Sequence, residues 1–479
     1  MGRSLRSVRY YVFFLALSLT TSMISISIYI LSERRVQMIK VSLSENNPEF
    51  NSLQDSLFFQ KLSIAAKNSN LQSKLDSVNA TGYPLVSKTS WVLDKNTSVN
   101  VEGRTEMLHE EKNDIKKAAL LLNSGTEVNF KVHIFYYPWY GNPQTDGRYI
   151  HWNHHMLPHW NKNEAKKWPL GKHLPPGDIG ANFYPELGPY SSSDASVVNT
   201  HMKQIHSAGV GVLAVSWYPP GEADDDGIPL DNLMPLILDS AHAHGIKVSF
   251  HLEPFKNRGG ETLKTHVRYI IDTYGHHPGF YRTELKGQNL PVFYIYDSYQ
   301  VPSSEWAAVL KPGAPLTLRD TRYDGIFLGL YLSPEDEVKI LDASFDGFYT
   351  YFAANEFTKG SSWTNWKTMA EFAKHNNLLF VPSIGPGYVD TRIRPWNAQT
   401  ERKRDHGNYF RRAFEAAIDA GAKYISITSF NEWHEGTQVE PAIPKETERF
   451  KYEDYQPHQP DFYLNLLKTL VDQFSKAQK

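Results

Sequence analysis

Two carboxylates near the C-terminus have the type and spacing that acid–base chemistry needs. Glu432 and Glu435 follow an apolar, β-branched run, with Trp433 and His434 between them and Gly436 after them. One carboxyl can protonate a leaving oxygen while a second acts as base or nucleophile, and an aromatic face can stack on a sugar ring. The same pattern also fits a strand that ends in a solvated acidic turn, so the pair alone leaves both interpretations open.

The chain upstream of this pair alternates short apolar runs with amphipathic stretches. Candidate strands are residues 132–137, 210–216, 247–252, 292–296, 325–330, 347–351, 378–381 and 424–428. Candidate helices are residues 194–208, 230–244, 262–274, 303–310, 334–341, 364–375, 408–420 and 461–475. This alternation predicts an α/β fold, a (β/α)8 TIM barrel over residues 129–479. A doubly wound sheet is the alternative, but no G-x-G-x-x-G follows any candidate strand, which disfavours a dinucleotide fold.

In such a barrel the chemistry is expected where the strands end. The predicted ends carry aromatic and charged side chains, namely Tyr137, Trp217, His251, Glu253, Tyr296 and Tyr351, and the seventh strand leads to Arg394 and Trp396. Each of these has an ordinary structural explanation when it is taken alone, such as core packing or a solvated loop. Together they place carboxylates, tyrosines, tryptophans and an arginine around one mouth, which favours a carbohydrate site.

Composition excludes several other classes of protein. The chain has 479 residues, a net charge of -2, 13% aromatic residues and no cysteine. The charge gives no electrostatic case for binding nucleic acid. Disulfides, cysteine-ligated zinc and thiol catalysis are excluded. No cofactor and no metal are expected.

The N-terminal quarter has the pattern of a membrane-anchored protein. Residues 1–9 carry three arginines, and residues 10–32 form an uncharged run long enough to span a bilayer as a helix. Residues 33–128 are rich in serine, asparagine and lysine, which is typical of a largely disordered stem. Sequons at Asn79 and Asn96 lie beyond the span and would be used only in a lumen. We therefore expect a cytoplasmic tail, a signal anchor in the lipid bilayer, a luminal stem and a luminal catalytic domain.

A set of longer motifs resembles a known family. These are FYYPWYG, YIHWNH, FYPELGPYSS, SWYPP, HLEP, YIYDSY, DGFYTYFA, PSIGPGYVDTRIRPWN and SFNEWHEGTQVE. Their types and order resemble the endo-α-1,2-mannosidases of glycoside hydrolase family 99, from about residue 131 to the C-terminus. The anchor and stem are similar to those of the animal Golgi members, which implies a single-pass type II protein of the Golgi membrane.

The resemblance implies a retaining endo-acting glycosidase that cuts glucosylated high-mannose N-glycans on glycoproteins and releases glucosyl-α-1,3-mannose. The mannose 2-hydroxyl would attack its own anomeric carbon and give a 1,2-anhydro sugar. Glu432 would be the base in this step, and Glu435 would protonate the leaving group and later activate water. We expect Glu432 to stay ionised and Glu435 to have a raised pKa.

Motif matching also implies a set of substrate contacts. It assigns them to Tyr137, Trp217, Glu253, Tyr296, Tyr351, Arg394 and Trp396, with His154, Glu186 and His251 as further candidates. Among these, Trp217 is expected to stack on the glucose-bearing side and Glu253 to hydrogen-bond sugar hydroxyls.

Two other functions remain open at this stage. A type II Golgi protein can be a glycosyltransferase, in which Asp224 and Asp226 would bind a metal ion. The Gly- and Pro-rich surroundings of this acidic run favour a solvated loop instead. A catalytically inactive glycan-binding protein is the second alternative, which the presence of both glutamates disfavours.

Overall fold

The computed structural model describes residues 127–478, with residue 225 excepted. The predicted tail, the signal anchor and all but the last two residues of the predicted stem lie outside the described residues. Within the described part, no helix is both long enough and apolar enough to cross a membrane.

Strands and helices alternate along the described part of the chain. The strands are β1 (Asn129–Tyr136), β2 (Tyr184–Pro185), β3 (Val210–Trp217), β4 (Lys247–Leu252), β5 (Arg282–Leu285), β6 (Gln288–Ile295), β7 (Ile326–Leu330), β8 (Gly347–Tyr349), β9 (Leu379–Val381), β10 (Ser383–Ile384), β11 (Ile425–Ile427) and β12 (Ala442–Ile443). The α-helices are α1 (Pro143–Asp146), α2 (Lys162–Ala165), α3 (Ala195–Ser207), α4 (Met234–Ala243), α5 (Gly260–Tyr274), α6 (Ser303–Leu310), α7 (Glu335–Ala343), α8 (Trp366–His375), α9 (Asn408–Asp419) and α10 (Phe462–Ala477).

The parallel strands close into a barrel. Their order is β10, β11, β1, β3, β4, β6, β7, β8 and β9, so the sheet begins at β10 and ends at β9. Only Pro382 separates β9 from β10, and the two therefore act as one broken strand that joins the ends of the sheet. Each of the resulting eight barrel strands is followed by one of the helices α3 to α10. The predicted (β/α)8 architecture is confirmed.

Side chains alternate between the barrel interior and the helical layer, because successive residues of a strand point to opposite faces. Along β1, Phe135 points inward, where its ring centroid lies 4.8 Å from that of His251 and 5.5 Å from that of Tyr294. The next residue, Tyr136, points outward and shares a hydrogen bond of 3.0 Å with His201 of α3. The interior is thus packed with rings, and the same alternation decides which side chains reach the mouth.

Predicted boundaries agree with the structure for most elements, and two antiparallel pairings were not predicted. β5 and β6 form a hairpin through Lys286 and Gly287, which have φ values of 51° and 79°. Positive φ at both positions is typical of a tight hairpin turn, but a Lys-Gly pair is a weaker signal than Asn-Gly. The β2–β12 pairing joins short segments far apart in sequence, which periodicity cannot reveal.

Candidate active site

Glu432 and Glu435 lie in a turn that follows β11, at the carboxyl ends of the barrel strands. We call residues 429–440 the acidic turn. Glu432 is 4% exposed and the side chain of Glu435 is 19% exposed. The interpretation of this segment as a solvated acidic turn is therefore wrong, since burial of two neighbouring carboxyls needs specific partners.

Hydrogen bonds inside the acidic turn fix its backbone. The hydroxyl of Ser429 accepts the backbone N–H of Glu432 at 2.7 Å and shares a hydrogen bond of 2.9 Å with the hydroxyl of Thr437. The backbone N–H of His434 donates to Oε1 of Glu432 at 3.0 Å. The Glu432 carboxyl is thereby held by the turn that carries it.

Gly436 lets a neighbouring loop close on the turn. Its φ is 60°, and a Cβ at this position would lie 2.6 Å from both Cγ1 and the carbonyl oxygen of Val389. The N–H of Val389 donates to the carbonyl oxygen of Glu435 at 2.9 Å. A larger residue would therefore force apart the loop after β10 and the acidic turn.

Asn431 joins the acidic turn to the end of β1. Its Oδ1 accepts the backbone N–H of Tyr137 at 2.8 Å, and its Nδ2 donates to the Tyr137 carbonyl oxygen at 2.9 Å. The N–H of Phe430 also donates to the carbonyl oxygen of Phe135 at 2.9 Å. The first and last strands of the barrel therefore position one another's functional side chains.

Three tyrosines from different strands surround the two glutamates. The hydroxyls of Tyr137 and Tyr351 lie 2.5 Å apart, and the ring centroid of Tyr296 lies 4.8 Å from that of Tyr351. Burial raises the pKa of Tyr137, and the charges of Glu253, Glu432 and Glu435 raise it further. Three carboxyls thus face one phenol, so the structure brings together the predicted residues at the ends of β1, β4, β6 and β8.

Tyr351 has an unusual backbone conformation for a bulky residue, with φ at 53°. Its N–H donates to the hydroxyl of Ser383 at 2.7 Å, and its carbonyl oxygen accepts the hydroxyl of Thr428. These two contacts hold a left-handed conformation that costs of order 1–3 kcal/mol, and strain of this kind clusters at functional sites.

Glu253 and His251 lie on the wall opposite the acidic turn. The hydroxyl of Ser216 donates to Oε1 of Glu253 at 2.9 Å, and Nδ1 of His251 lies 3.3 Å from the same oxygen. Nε2 of His251 is 2.9 Å from the hydroxyl of Tyr349 inside the barrel. His251 is buried, and it supports Glu253 from below rather than lining the open mouth.

Arg394 is the cation that contacts Glu435. Its Nη1 lies 3.5 Å from Oε1 of Glu435 and donates to Oδ2 of Asp390 at 2.9 Å. The hydroxyl of Tyr388 donates to the same Asp390 oxygen at 2.8 Å. The predicted site residues did not include Asp390 or Tyr388, although both belong to the motif that contains Arg394.

The two glutamates are coupled, and their pKa values differ from the expectation. Burial raises the pKa of Glu432 well above its ordinary value, and the charge of Glu435 adds to this effect. Burial also raises the pKa of Glu435, but Arg394 opposes the rise. The backbone N–H groups of His434 and Glu435 and the charge of Arg394 lower the pKa of Glu432, in the direction of the expected ionised form, but burial acts more strongly. The expected rise for Glu435 is present.

His154 and Trp396 lie at the edge of the site. The His154 ring centroid is 4.7 Å from that of His434, within the acidic turn. Burial lowers the pKa of both histidines, which favours neutral imidazoles. Trp396 lies two residues beyond Arg394 in the chain. Its indole N–H donates to the carbonyl oxygen of Leu157 at 3.0 Å.

Trp217 and Glu186 do not join this cluster. Trp217 is fully buried, its N–H donates to Oδ1 of Asp231 at 2.8 Å, and its ring packs against Phe250. The prediction that it stacks on a sugar is wrong, because β3 directs Ser216 inward and Trp217 outward toward the helices. Glu186 lies exposed just after β2, outside the barrel.

Strand alternation identifies Tyr218 as a residue that sequence reasoning passed over. Tyr218 is half-buried and shares the inward direction of Ser216. Burial lowers the pKa of Arg258, and three neighbouring groups oppose this shift, namely Asp297, Glu253 and Tyr218. The Tyr218 phenol therefore lies close to the residues of the mouth. Arg258 donates from Nη2 to the carbonyl oxygen of Asp297 at 2.8 Å.

Asp224 is neither solvated nor available as a metal ligand. It is 8% exposed, and its Oδ2 lies 2.9 Å from Nε2 of His151. Its Oδ1 accepts the backbone N–H groups of Asp226 and Ile228 at 3.0 and 2.8 Å. Asp224 therefore stabilises the loop that carries it. Across residues 127–478, leaving aside 225, no group of three or more His, Asp and Glu is placed to hold a metal ion.

A third carboxyl, Glu440, ends the acidic turn and is 1% exposed. Its Oε2 accepts the indole N–H of Trp433 and the hydroxyl of Tyr190, both at 2.9 Å. Its Oε1 lies 3.1 Å from Nε2 of His201. Every neighbouring group can donate, so a carboxylate suits this place and holds Trp433, between the two catalytic candidates, in one position.

A (β/α)8 barrel with a glutamate pair, a ring of tyrosines and Arg394 at its mouth is typical of a glycoside hydrolase. The model of glycosyl hydrolase family 99 matches residues 127–476. The chain belongs to this family.

Relatives of known name agree with this assignment. A Xenopus laevis protein named glycoprotein endo-alpha-1,2-mannosidase is 55% identical over 352 residues, which is 73% of this chain and 78% of the relative. A Homo sapiens glycoprotein endo-alpha-1,2-mannosidase-like protein is 51% identical over 349 residues, 73% of this chain and 76% of the relative. The solved family 99 endo-alpha-mannosidase from Bacteroides thetaiotaomicron superposes with a TM-score of 0.68 and 45% identity, covering 74% of this chain and 99% of that one.

Replacing Arg394 should move the pH profile of activity. The guanidinium lowers the pKa of both glutamates, so Arg394→Met should shift both limbs of the kcat/KM profile to higher pH, by on the order of one unit. The acidic limb of the unaltered protein should already lie above 4.5, the ordinary glutamate value. Arg449→Met, at an exposed arginine, is the control. Unmoved limbs in Arg394→Met would show that the cation does not tune the pair.

Replacing Glu440 should reduce turnover without touching the substrate site. In Glu440→Gln an amide NH2 would face groups that already donate, which costs about 1–3 kcal/mol of stability. We expect kcat to fall about tenfold or more with KM changed little, because Trp433 loses its anchor. Steady-state kinetics and thermal unfolding measure both effects, with the exposed Glu448→Gln as control. An equal rise in KM would contradict a role confined to positioning.

Proposed function

We propose that this glycoside hydrolase is an endo-acting α-1,2-mannosidase of glucosylated high-mannose N-glycans, and that it releases glucosyl-α-1,3-mannose. The observation that carries the proposal is the coupled pair of buried glutamates on one turn, facing Tyr137, Tyr351 and Arg394. The names of the Xenopus laevis and Homo sapiens relatives support the choice of an α-1,2-mannoside on a glycoprotein.

The proposed first step uses the substrate's own hydroxyl. Glu432 takes the proton from O2 of the mannose, and O2 attacks the anomeric carbon. The bond from that carbon to the leaving oxygen breaks, and Glu435 gives its proton to this oxygen. The products are a 1,2-anhydro sugar and a free alcohol. A nucleophile already attached to the reacting ring has a large proximity advantage, so the protein has only protons to move.

The second step reverses the proton positions. Glu435, now ionised, takes a proton from water, the water oxygen attacks the anomeric carbon, and its bond to O2 breaks. Glu432 returns its proton to O2. Two inversions at one carbon give net retention, as in other retaining glycosidases.

The shared proton of the pair fits this scheme. Burial raises both pKa values, the charge of Glu435 adds to the rise at Glu432, and the charge of Asp390 adds to the rise at Glu435, so a proton on the pair persists above the ordinary glutamate value. A raised pKa also makes Glu432 a stronger base once its proton has moved to Glu435. A mannose hydroxyl that donates a hydrogen bond to Glu432 would stabilise its ionised form and leave the proton on Glu435.

Two experiments on one protein test the proposal. Incubation with a monoglucosylated high-mannose glycan should release a disaccharide, read by mass. Glu432→Gln should lower kcat by a factor on the order of 10³ or more while binding of the same glycan, measured by calorimetry, persists. The exposed Glu446→Gln should behave as the unaltered protein does. Release of free glucose or single mannose would refute the endo cut, and near-normal turnover in Glu432→Gln would refute the mechanism.

We also propose that the chain is a single-pass type II protein of the Golgi membrane with its catalytic domain in the lumen. The uncharged run at residues 10–32 and the sequons at Asn79 and Asn96 support this. In intact Golgi vesicles the barrel should resist added protease until detergent is present. The double variant Asn79→Gln/Asn96→Gln should lose the gel shift that an N-glycosidase causes in the unaltered chain. Digestion without detergent would contradict the luminal orientation.

A further inference from the structure

One exposed indole stands out on the long loop between β1 and α3. Trp160 is 73% exposed, the most exposed of the large hydrophobic side chains within residues 127–478. The three residues that follow it, Asn161, Lys162 and Asn163, are polar. Exposure of a tryptophan to this extent is unusual for a side chain that has only a packing role.

The ring is nevertheless held in place. The His159 ring centroid lies 3.9 Å from that of Trp160, with 31° between the planes, and Trp396 packs at 4.7 Å and 89°. Trp396 is fixed in turn by the hydrogen bond from its indole to Leu157. Backbone pairing between Leu157 and Ile393 at 2.7 Å joins the two loops. We call His159, Trp160 and Trp396 the indole platform.

The indole platform lies next to the catalytic cluster, on the side of Arg394 and Glu435. Trp396 lies two residues beyond Arg394, and the Arg394 guanidinium contacts Glu435 at 3.5 Å. In the proposed function Glu435 protonates the leaving oxygen, so the loop that carries Arg394 and Trp396 borders the leaving-group side of the cleaved bond. A sugar attached beyond the leaving group extends toward this rim.

We propose that the indole platform is a distal carbohydrate site, which stacks on a hexose of the same glycan beyond the leaving-group sugar. This inference rests on the proposed function and names a binding site outside its catalytic cluster. A preordered aromatic face with polar neighbours matches the apolar face of one pyranose ring and its surrounding hydroxyls. A protein partner would need a broader buried area than one ring provides.

The kinetic test compares two substrates that differ only on the leaving-group side. One is a complete glucosylated high-mannose glycan, and the other is a glucosyl-mannosyl aryl glycoside with no sugar beyond the cleaved bond. Trp160→Ala should lower kcat/KM for the glycan roughly five- to tenfold and change it by less than about twofold for the aryl glycoside. Trp160→Tyr should recover most of the loss. Trp168→Ala, just beyond α2 and 37% exposed, should leave both substrates unaffected.

A binding measurement tests the site without catalysis. In the Glu432→Gln protein, an unglucosylated oligomannose glycan should bind several-fold more weakly when Trp160→Ala is added, as measured by calorimetry. If the unaltered protein cleaved neither substrate, the proposed function would be refuted. The binding measurement would still show whether the indole platform binds a sugar.

Three results would overturn the inference. Equal losses on both substrates would mean that Trp160 supports the loop and Arg394. An unchanged affinity for oligomannose would mean that the ring meets no sugar. A loss seen with an intact glycoprotein and absent with its released glycan would mean that the surface recognises polypeptide.

Discussion

Burial of an acidic segment at the end of β11 is the constraint on which the rest of the site depends. Carboxyls removed from water need donors or a cation, and each one here has a different solution. A backbone N–H of the same turn serves Glu432, Arg394 faces Glu435, and side-chain donors surround Glu440. The donor of Glu432 is local, whereas Arg394 and two of the donors to Glu440, Tyr190 and His201, come from other parts of the barrel and are brought together only by the fold.

The two glutamates differ in the charges that surround them. Asp390 orients Arg394, which lies 3.5 Å from Glu435. The described residues, 127–478 without 225, place no cation this close to the Glu432 carboxyl. Burial raises the pKa of both glutamates, and Arg394 opposes the rise in each of them. In the mechanism we propose, one proton shared by such a pair passes from acid to base and back over the two steps, without help from a further titrating group.

Aromatic packing links the barrel core to its mouth. Phe135, Tyr294 and Tyr349 fill the interior, and the next inward residues along the same strands, Tyr137, Tyr296 and Tyr351, form the tyrosine ring around the glutamates. The functional residues thus stand on a layer of rings that cannot move independently, since interiors are packed as tightly as organic crystals. Preorganisation of this kind is what proton transfer at fixed distances requires.

The sequence by itself determined the eight strands and their helices, because periodicity and capping are local properties, and it determined that Glu432 and Glu435 share a turn. The tertiary structure alone decided which strand-end residues reach the mouth. Trp217 points outward and Tyr218 shares the inward direction, since a shift of one residue reverses the face of a strand. The tertiary structure also decided that Asp224 accepts hydrogen bonds within its own loop. It raised the pKa values of both glutamates, because burial and neighbouring charges depend on residues far apart in sequence.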